Sequence, residues 1–191
     1  MKKERFIMKT KKLTVSALMI ALAQILSILA VFQAPNGGDI TLGGSVPIII
    51  VSLMYGTRWG IFTALVSTLV NMLLKGVITT LPTDLSTYFL MILLDYVLAF
   101  GVMGLAGFFF NKMGKGRFAI ITSSAIVIFL RFVCHFASGI ILWGSFAPKG
   151  QPVWLYSIIY NGGYMLPEMI ITVIIMSVLS VKIIPKLIKE K

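Results

Sequence analysis

Carboxylates, histidine and cysteine are all scarce in this 191-residue chain, which has six acidic residues, one histidine and one cysteine. The single Cys134 excludes an internal disulfide, and one histidine with one cysteine cannot supply a His/Cys metal cluster. Enzymatic chemistry has little to stand on, because neither an H-E-x-x-H helix nor a G-x-S-x-G elbow occurs and no paired acid and base are spaced for catalysis. A Gly-x-x-x-x-Gly-Lys-Ser/Thr phosphate loop is also missing, since Met113-Gly114-Lys115-Gly116 is only a short basic turn. The expectation is a non-enzyme with no cofactor, no metal and no ATP hydrolysis of its own. Internal repeats and low-complexity tracts are absent too, which disfavours a self-sufficient secondary carrier.

What the chain has in abundance is apolar surface. Hydrophobic residues make up 58%, charged residues only 12%, and the mean hydropathy is +0.98, values that a water-soluble globule does not reach. Apolar runs fall at Leu13–Phe32, Ser45–Tyr55, Gly60–Leu74, Tyr88–Phe110, Phe118–Leu142 and Tyr156–Ile184, separated by loops rich in Gly, Pro, Lys or Thr. Spans of roughly 20 residues then predict an all-α membrane protein with six transmembrane helices in one bundle, and residues 1–191 as a single transmembrane domain. The second and third runs are short, and Gly43-Gly44-Ser45-Val46-Pro47 suggests a broken or tilted helix. The first run is too long for a signal peptide and further spans follow it.

Charge orients the bundle. The net charge of +11 is concentrated beside the spans: Lys2, Lys3, Arg5, Lys9, Lys11 and Lys12 form a basic N-terminal segment over residues 1–12. Basic flanks stay cytoplasmic, and six spans then put Arg58, Lys112, Lys115, Arg117, Lys182, Lys186, Lys189 and Lys191 on the same side. Both termini are expected in the cytoplasm, the surroundings a lipid bilayer. Nucleic acid is excluded as a partner, because these cations flank spans and no soluble module presents them.

Between Arg131 and Asn161 the chain places its only histidine, two of its three tryptophans and an asparagine among apolar runs. Polar groups in hydrocarbon are expensive and mark substrate paths or binding cavities. Arg131, His135, Gly139 and Trp143 recur every four residues and fall on nearly one helical stripe. This stripe reads either as a cavity wall, with Gly139 admitting a flat ligand, or as a helix–helix seam with a satisfied histidine. In the sixth run, Asn161 can donate and accept as a heteroaromatic edge requires, while Tyr160 and Tyr164 read equally as site residues or as an interfacial belt. Asp95 is expected to face the ligand, with Arg131 paired to Glu168 as structure. A bridge between Asp95 and Arg131 is the competing arrangement.

His135-Phe136-x-x-Gly139-x-x-x-Trp143, then Lys149-Gly150, Tyr156-Ser157 and Asn161, resembles the signature of the thiamine-binding membrane subunit of energy-coupling factor transporters. Leu94-Asp95-Tyr96 followed by Gly104-Leu105-Ala106-Gly107 is similar to that family's fourth helix. The resemblance runs along about the whole chain. It implies that Trp143 stacks on the aminopyrimidine while Asp95, Tyr156 and Asn161 hydrogen-bond its edge. It further implies that His135 and Tyr96 lie by the thiazolium ring and that Gly139 leaves room for the ligand. Such roles suit a flat heteroaromatic joined to a fixed cation. Two departures stand out: Asp95 is one methylene shorter than the glutamate of the family pattern, and no tryptophan lies between Pro35 and Ser45 to act as a lid. Residues 35–43 are expected to close as a gate without it.

The resemblance also implies partners. Ala17 and Ala21, small residues four apart on the first run, would dock a transmembrane coupling protein energised by two cytoplasmic ATPase subunits; internal packing is the other explanation of that pair. The implied setting is the plasma membrane of a prokaryote, and the implied job is thiamine capture from outside. A binding subunit for another vitamin on the same scaffold, or a small membrane enzyme using Asp95, His135 and Glu168, are the remaining readings.

Overall fold

A computed structural model describes residues 2–77 and 84–190, with side chains from residue 8 onward. Lys191 and the side chains of Lys2, Lys3 and Arg5, counted above among the basic flanks, lie outside it. Helix α1 spans Lys2–Ile28 and leads into a small hairpin, β1 Phe32–Gln33 and β2 Asp39–Ile40. Helices α2 Val46–Tyr55 and α3 Thr57–Lys75 follow. A long helical segment, α4, runs over Leu85–Lys112, then α5 over Arg117–Ile141, α6 over Val153–Leu179 and a short α7 over Ile183–Lys189.

Five of these, in α1, α3, α4, α5 and α6, are long and apolar enough to cross a membrane. The second apolar run differs. Helix α2 has ten residues and rises about 15 Å, half of a hydrocarbon core. Its residues from Val46 to Met54 are all buried, so it is shielded by neighbouring helices rather than by lipid. The first run also ends early, at Ile28 instead of Phe32, because Phe32 enters the hairpin opposite Ile40.

Small residues let the inner helices meet. A side chain at Gly104 would sit 2.2 Å from the main-chain nitrogen of Ile61, and one at Gly107 would sit 2.5 Å from the carbonyl of Ser52. Backbones of α2, α3 and α4 therefore touch, the packing that substitutes for a water-driven force in lipid. Ser52 fastens the contact, donating to the Gly104 carbonyl at 2.6 Å and accepting from the Gly107 amide at 2.8 Å. Gln24 and Asn71 join α1 to α3 in the same way, with Gln24 donating to Ser67 and Asn71 donating to Gln24 at 3.0 Å.

The two ends of the bundle differ in chemistry. At one end Lys11 donates to the Glu190 carbonyl, Arg117 donates to Ser180, and the Lys12 ammonium lies 4.1 Å from the Trp59 ring centre. Here α1 and the C-terminal helix α7 come into contact. The opposite end carries the hairpin and the cavity. Ala17 and Ala21 are exposed on the outer face of α1, so internal packing does not explain the pair.

Candidate functional site

The fourth helix is not regular where it matters. Its backbone is α-helical over Leu85–Met91, widens to a π-helix over Ile92–Leu98, and tightens to 3-10 turns over Val102–Leu105. Asp95 and Tyr96 sit inside the widened stretch, and such bulges recur at functional sites because they re-aim side chains. Asp95 consequently meets three donors from the α5 side. Its Oδ1 lies 3.0 Å from Nδ1 of His135, and its Oδ2 accepts from the Ser138 hydroxyl at 2.6 Å and the Trp143 indole at 3.1 Å.

Trp143 corrects one expectation. Helix α5 stops at Ile141, so the stripe of Arg131, His135 and Gly139 does not continue as helix to Trp143, which lies in the turn beyond. The indole still returns to the site because its N–H is held by Asp95, and it packs beside Met91, Tyr88 and Tyr156. Trp154, expected to be buried with it, is 54% exposed at the start of α6.

A cavity of about 440 Å³ opens here, within the ~300–1,000 Å³ range of small-molecule sites. Asp95, Tyr96, His135, Gly139, Trp143, Tyr156 and Asn161, the seven positions taken from the sequence, all line it. Tyr160, Tyr164, Phe100, Arg131, hairpin residues 33–39, Met91 and the end of α3 around Asn71 and Lys75 also line it. The interfacial-belt reading of the two tyrosines fails: Tyr164 is 4% exposed and donates to the Asn161 side-chain oxygen at 2.7 Å. Tyr160 accepts from the Asn36 amide at 2.8 Å and donates to the Gly37 carbonyl at 3.0 Å.

Those two bonds tie the hairpin loop to α6. Hairpin residues 32–40 fold over the cavity, with Ala34 bonded to Gly38 across the turn. Gly38 has φ +102°, and a side chain there would strike the Tyr164 ring at 2.4 Å, so both conformation and space require glycine. Asp39 is ion-paired to Lys75 at the end of α3.

Two of these residues also serve the protein itself. Asn161 spends its amide on the protein, donating to the His135 carbonyl at 3.2 Å and to the Ser157 carbonyl at 3.1 Å while accepting from Tyr164. It joins α5 to α6 at the cavity wall. Gly139 makes room for that same junction, since a side chain there would meet the Ser157 hydroxyl at 2.1 Å and the Asn161 nitrogen at 2.9 Å.

Arg131 does not pair with Glu168, nor with Asp95: among the described residues its guanidinium has no carboxylate within 4.0 Å. It lies 4.1 Å from the Phe100 ring centre and donates to the Ser45 hydroxyl at 3.3 Å. Glu168, 1% exposed, accepts from the Thr41 amide at 2.7 Å, the Thr41 hydroxyl at 2.8 Å and the Ser45 hydroxyl at 3.3 Å. The link between Arg131 and Glu168 therefore runs through Ser45, and Glu168 anchors the base of the loop. No group of His, Cys, Asp and Glu side chains among the described residues is arranged to hold a metal ion.

Comparison with known proteins fits this geometry. Residues 13–188 match the family described as Thiamine transporter protein (Thia_YuaJ). The chain is 35% identical over 185 residues to the thiamine transporter ThiT of Bacillus subtilis, covering 91% of this chain and 92% of that protein. A ThiT of Lacticaseibacillus paracasei is 38% identical over 96 residues, 46% of this chain and 48% of the relative. Among solved structures, ThiT from Listeria monocytogenes superposes with a TM-score of 0.75 at 25% identity, covering 94% of this chain and 98% of that one.

Proposed function

This chain belongs to the thiamine transporter protein family, and from that premise we propose that it captures thiamine from the outer side of the membrane in the cavity between α4, α5, α6 and the hairpin. The observation that carries the reading is the meeting of Trp143, His135 and Asp95 on one cavity wall. An indole face stacks on an aminopyrimidine, and a carboxylate bonded to hydroxyl, indole and imidazole donors, with no Lys or Arg paired to it among the described residues, leaves its charge available to a thiazolium. Tyr96 and Tyr156 supply further ring surface, Gly139 and Asn161 hold α6 against α5 at the wall, and the hairpin closes over the ligand. The family's relatives are named as thiamine transporters, which supports the same ligand.

Delivery inward takes a motor. The chain has no nucleotide loop, so release to the cytoplasm is assigned to a separate membrane coupling protein and two cytoplasmic ATPases, docked on the exposed face of Ala17 and Ala21. This places six membrane-embedded segments in the plasma membrane of a prokaryote, α2 being the short one, with both termini cytoplasmic. Whatever the partners, the binding subunit must prefer thiamine in one orientation, because only differential affinity couples ligand to motion.

The test is titration of the purified protein in detergent with thiamine, following tryptophan fluorescence. Thiamine should quench Trp143 at nanomolar to micromolar concentration, and Trp143→Ala should remove the signal and weaken binding about tenfold or more. Wild-type protein that retains no thiamine in equilibrium dialysis ends the proposal. Tryptophan at Ala17 or Ala21 should leave thiamine affinity intact and block assembly with the coupling protein; assembly that survives both substitutions removes that docking face.

A further inference from the structure

Ser138 stands outside the cavity wall, fully buried one turn from His135, and its hydroxyl reaches Oδ2 of Asp95 at 2.6 Å. Trp143 bonds the same oxygen at 3.1 Å, so two donors on Oδ2 fix the plane of the carboxylate and direct Oδ1 at the imidazole. A carboxylate only accepts hydrogen bonds, and contact at 3.0 Å therefore requires the hydrogen on Nδ1 of His135. With the ring neutral, the lone pair falls on Nε2.

That second nitrogen is the unexplained group. His135 is 8% exposed and lines the cavity, yet its Nε2 is buried without a hydrogen-bond partner. Buried acceptors are normally satisfied, and one left without a partner on a residue that lines the cavity asks for a donor from the ligand. Three nearby donors are committed elsewhere, the Trp143 indole to Asp95, the Asn161 amide to main-chain carbonyls and the Tyr164 hydroxyl to Asn161, while Arg131 Nε on the same cavity is also buried without a partner and makes no hydrogen bond to the imidazole.

Resting on the reading that this cavity takes thiamine, we infer that Ser138 is a positioning residue for ligand selection. It clamps Asp95, Asp95 fixes the Nδ1–H tautomer of His135, and the bare Nε2 accepts a hydrogen bond from an N–H or O–H donor of the ligand. Thiamine offers two such donors, the amino group on its pyrimidine ring and the hydroxyl of its hydroxyethyl arm. A flat cation of similar shape with neither donor leaves Nε2 unsatisfied and is rejected. The clamp thus gives the Asp95 carboxylate a part in specificity beyond its charge.

His135 is the chain's only histidine, so protein labelled with nitrogen-15 histidine gives one imidazole in the NMR spectrum. The expected ligand-free spectrum is a neutral ring protonated at Nδ1, and thiamine should move the Nε2 resonance while Nδ1 stays in place. Ser138→Ala should yield mixed tautomers and bind thiamine about tenfold more weakly, with Ser138→Cys, a weak donor, intermediate. Two analogues are compared with thiamine, one with hydrogen in place of the amino group and one with the hydroxyl methylated. The one that no longer moves Nε2 names the donor, and its disadvantage relative to thiamine should shrink in Ser138→Ala. A ring protonated at Nε2 or at both nitrogens in the wild type overturns the inference, as does a Ser138→Ala protein with unchanged tautomer and unchanged analogue ratio. If the wild type binds no thiamine, the ligand assignment falls and the tautomer spectra alone decide the clamp.

Discussion

Gly139→Ala separates two reasons for a glycine at the cavity wall. If the missing side chain serves the ligand, alanine narrows the cavity and leaves the fold alone. The geometry says otherwise, since the added methyl would lie 2.1 Å from the Ser157 hydroxyl, 2.9 Å from Ser157 Cβ and 2.9 Å from the Asn161 nitrogen. None of these is the loose end of a flexible chain: Ser157 is fully buried and donates to the Phe136 carbonyl at 2.8 Å, and Asn161 is held by four hydrogen bonds. Helices α5 and α6 must therefore part by several tenths of an ångström, and overpacking of this kind costs about 1–3 kcal/mol. The assay is a double-mutant cycle read by thermal unfolding in detergent and by thiamine affinity. Ser157→Gly alone loses its hydroxyl bonds and about 1 kcal/mol of helix propensity. Combined with Gly139→Ala it removes both of the Ser157 atoms that clash, so the double variant should be more stable than the sum of the singles by ~1 kcal/mol or more. Strictly additive losses, or a Gly139→Ala protein that melts like wild type and only binds more weakly, would refute the seam and restore the ligand-clearance reading.

Tyr160→Phe keeps the ring and releases the hairpin from its bonds at Asn36 and Gly37; at about 1 kcal/mol for each of the two neutral hydrogen bonds, stopped-flow fluorescence should show thiamine leaving roughly thirtyfold faster. An unchanged dissociation rate would mean that the hairpin is not the gate. Glu168→Leu orphans the buried Thr41 amide and should lower stability by about 3 kcal/mol, whereas Glu168→Gln, which still accepts from that amide, should lose clearly less. Equal melting of the two variants would deny the anchor. Lys75→Met breaks a half-exposed pair with Asp39 and should shift stability by less than about 1 kcal/mol, an effect that added salt reproduces in the wild type. Asp95→Asn removes the charge but keeps one acceptor, so thiamine affinity should fall by about tenfold or more while an uncharged pyrimidine fragment loses much less. Equal losses for both ligands would put the role of Asp95 in structure rather than in charge.

Spacing and composition made some of this site legible and hid the rest for identifiable reasons. His135 and Gly139 were legible as one helical stripe, while Asp95 and Asn161 stood out as polar residues in long apolar runs and were joined to the site by the family resemblance. What failed was local: α5 ends at Ile141, and Trp143 reaches the site through a turn that no period of 3.6 describes. The π-helical stretch around Asp95 carries no sequence mark here, with neither Pro nor Gly between Ile92 and Leu98. Phe32 reads as the end of a membrane run but pairs in a two-residue strand, too short for any alternation to show. Ser138 was invisible because a serine in a membrane helix ordinarily bonds its own preceding turn. For Arg131 and Glu168, depth along the helices pointed to a shared level and missed the mediator, since Ser45 arrives from a different segment.

That mediation has an electrostatic consequence for the ligand. Were Arg131 bridged to Asp95, the pair would offer a cationic vitamin almost no net field, and entry would break a buried ion pair, which is costly. Instead the guanidinium is turned onto the Phe100 ring and the Ser45 hydroxyl, and Asp95 is held by serine, indole and imidazole. Two opposite charges thus line one cavity without cancelling at short range. Inside a low-dielectric wall such a separation orients a ligand whose own charge sits at one end, drawing a thiazolium toward Asp95 and away from Arg131. The neutral pyrimidine is left for Trp143 and the tyrosines. Orientation comes before contact in this arrangement, because the field exists in the ligand-free cavity and each charge is fixed by bonds that the ligand need not replace.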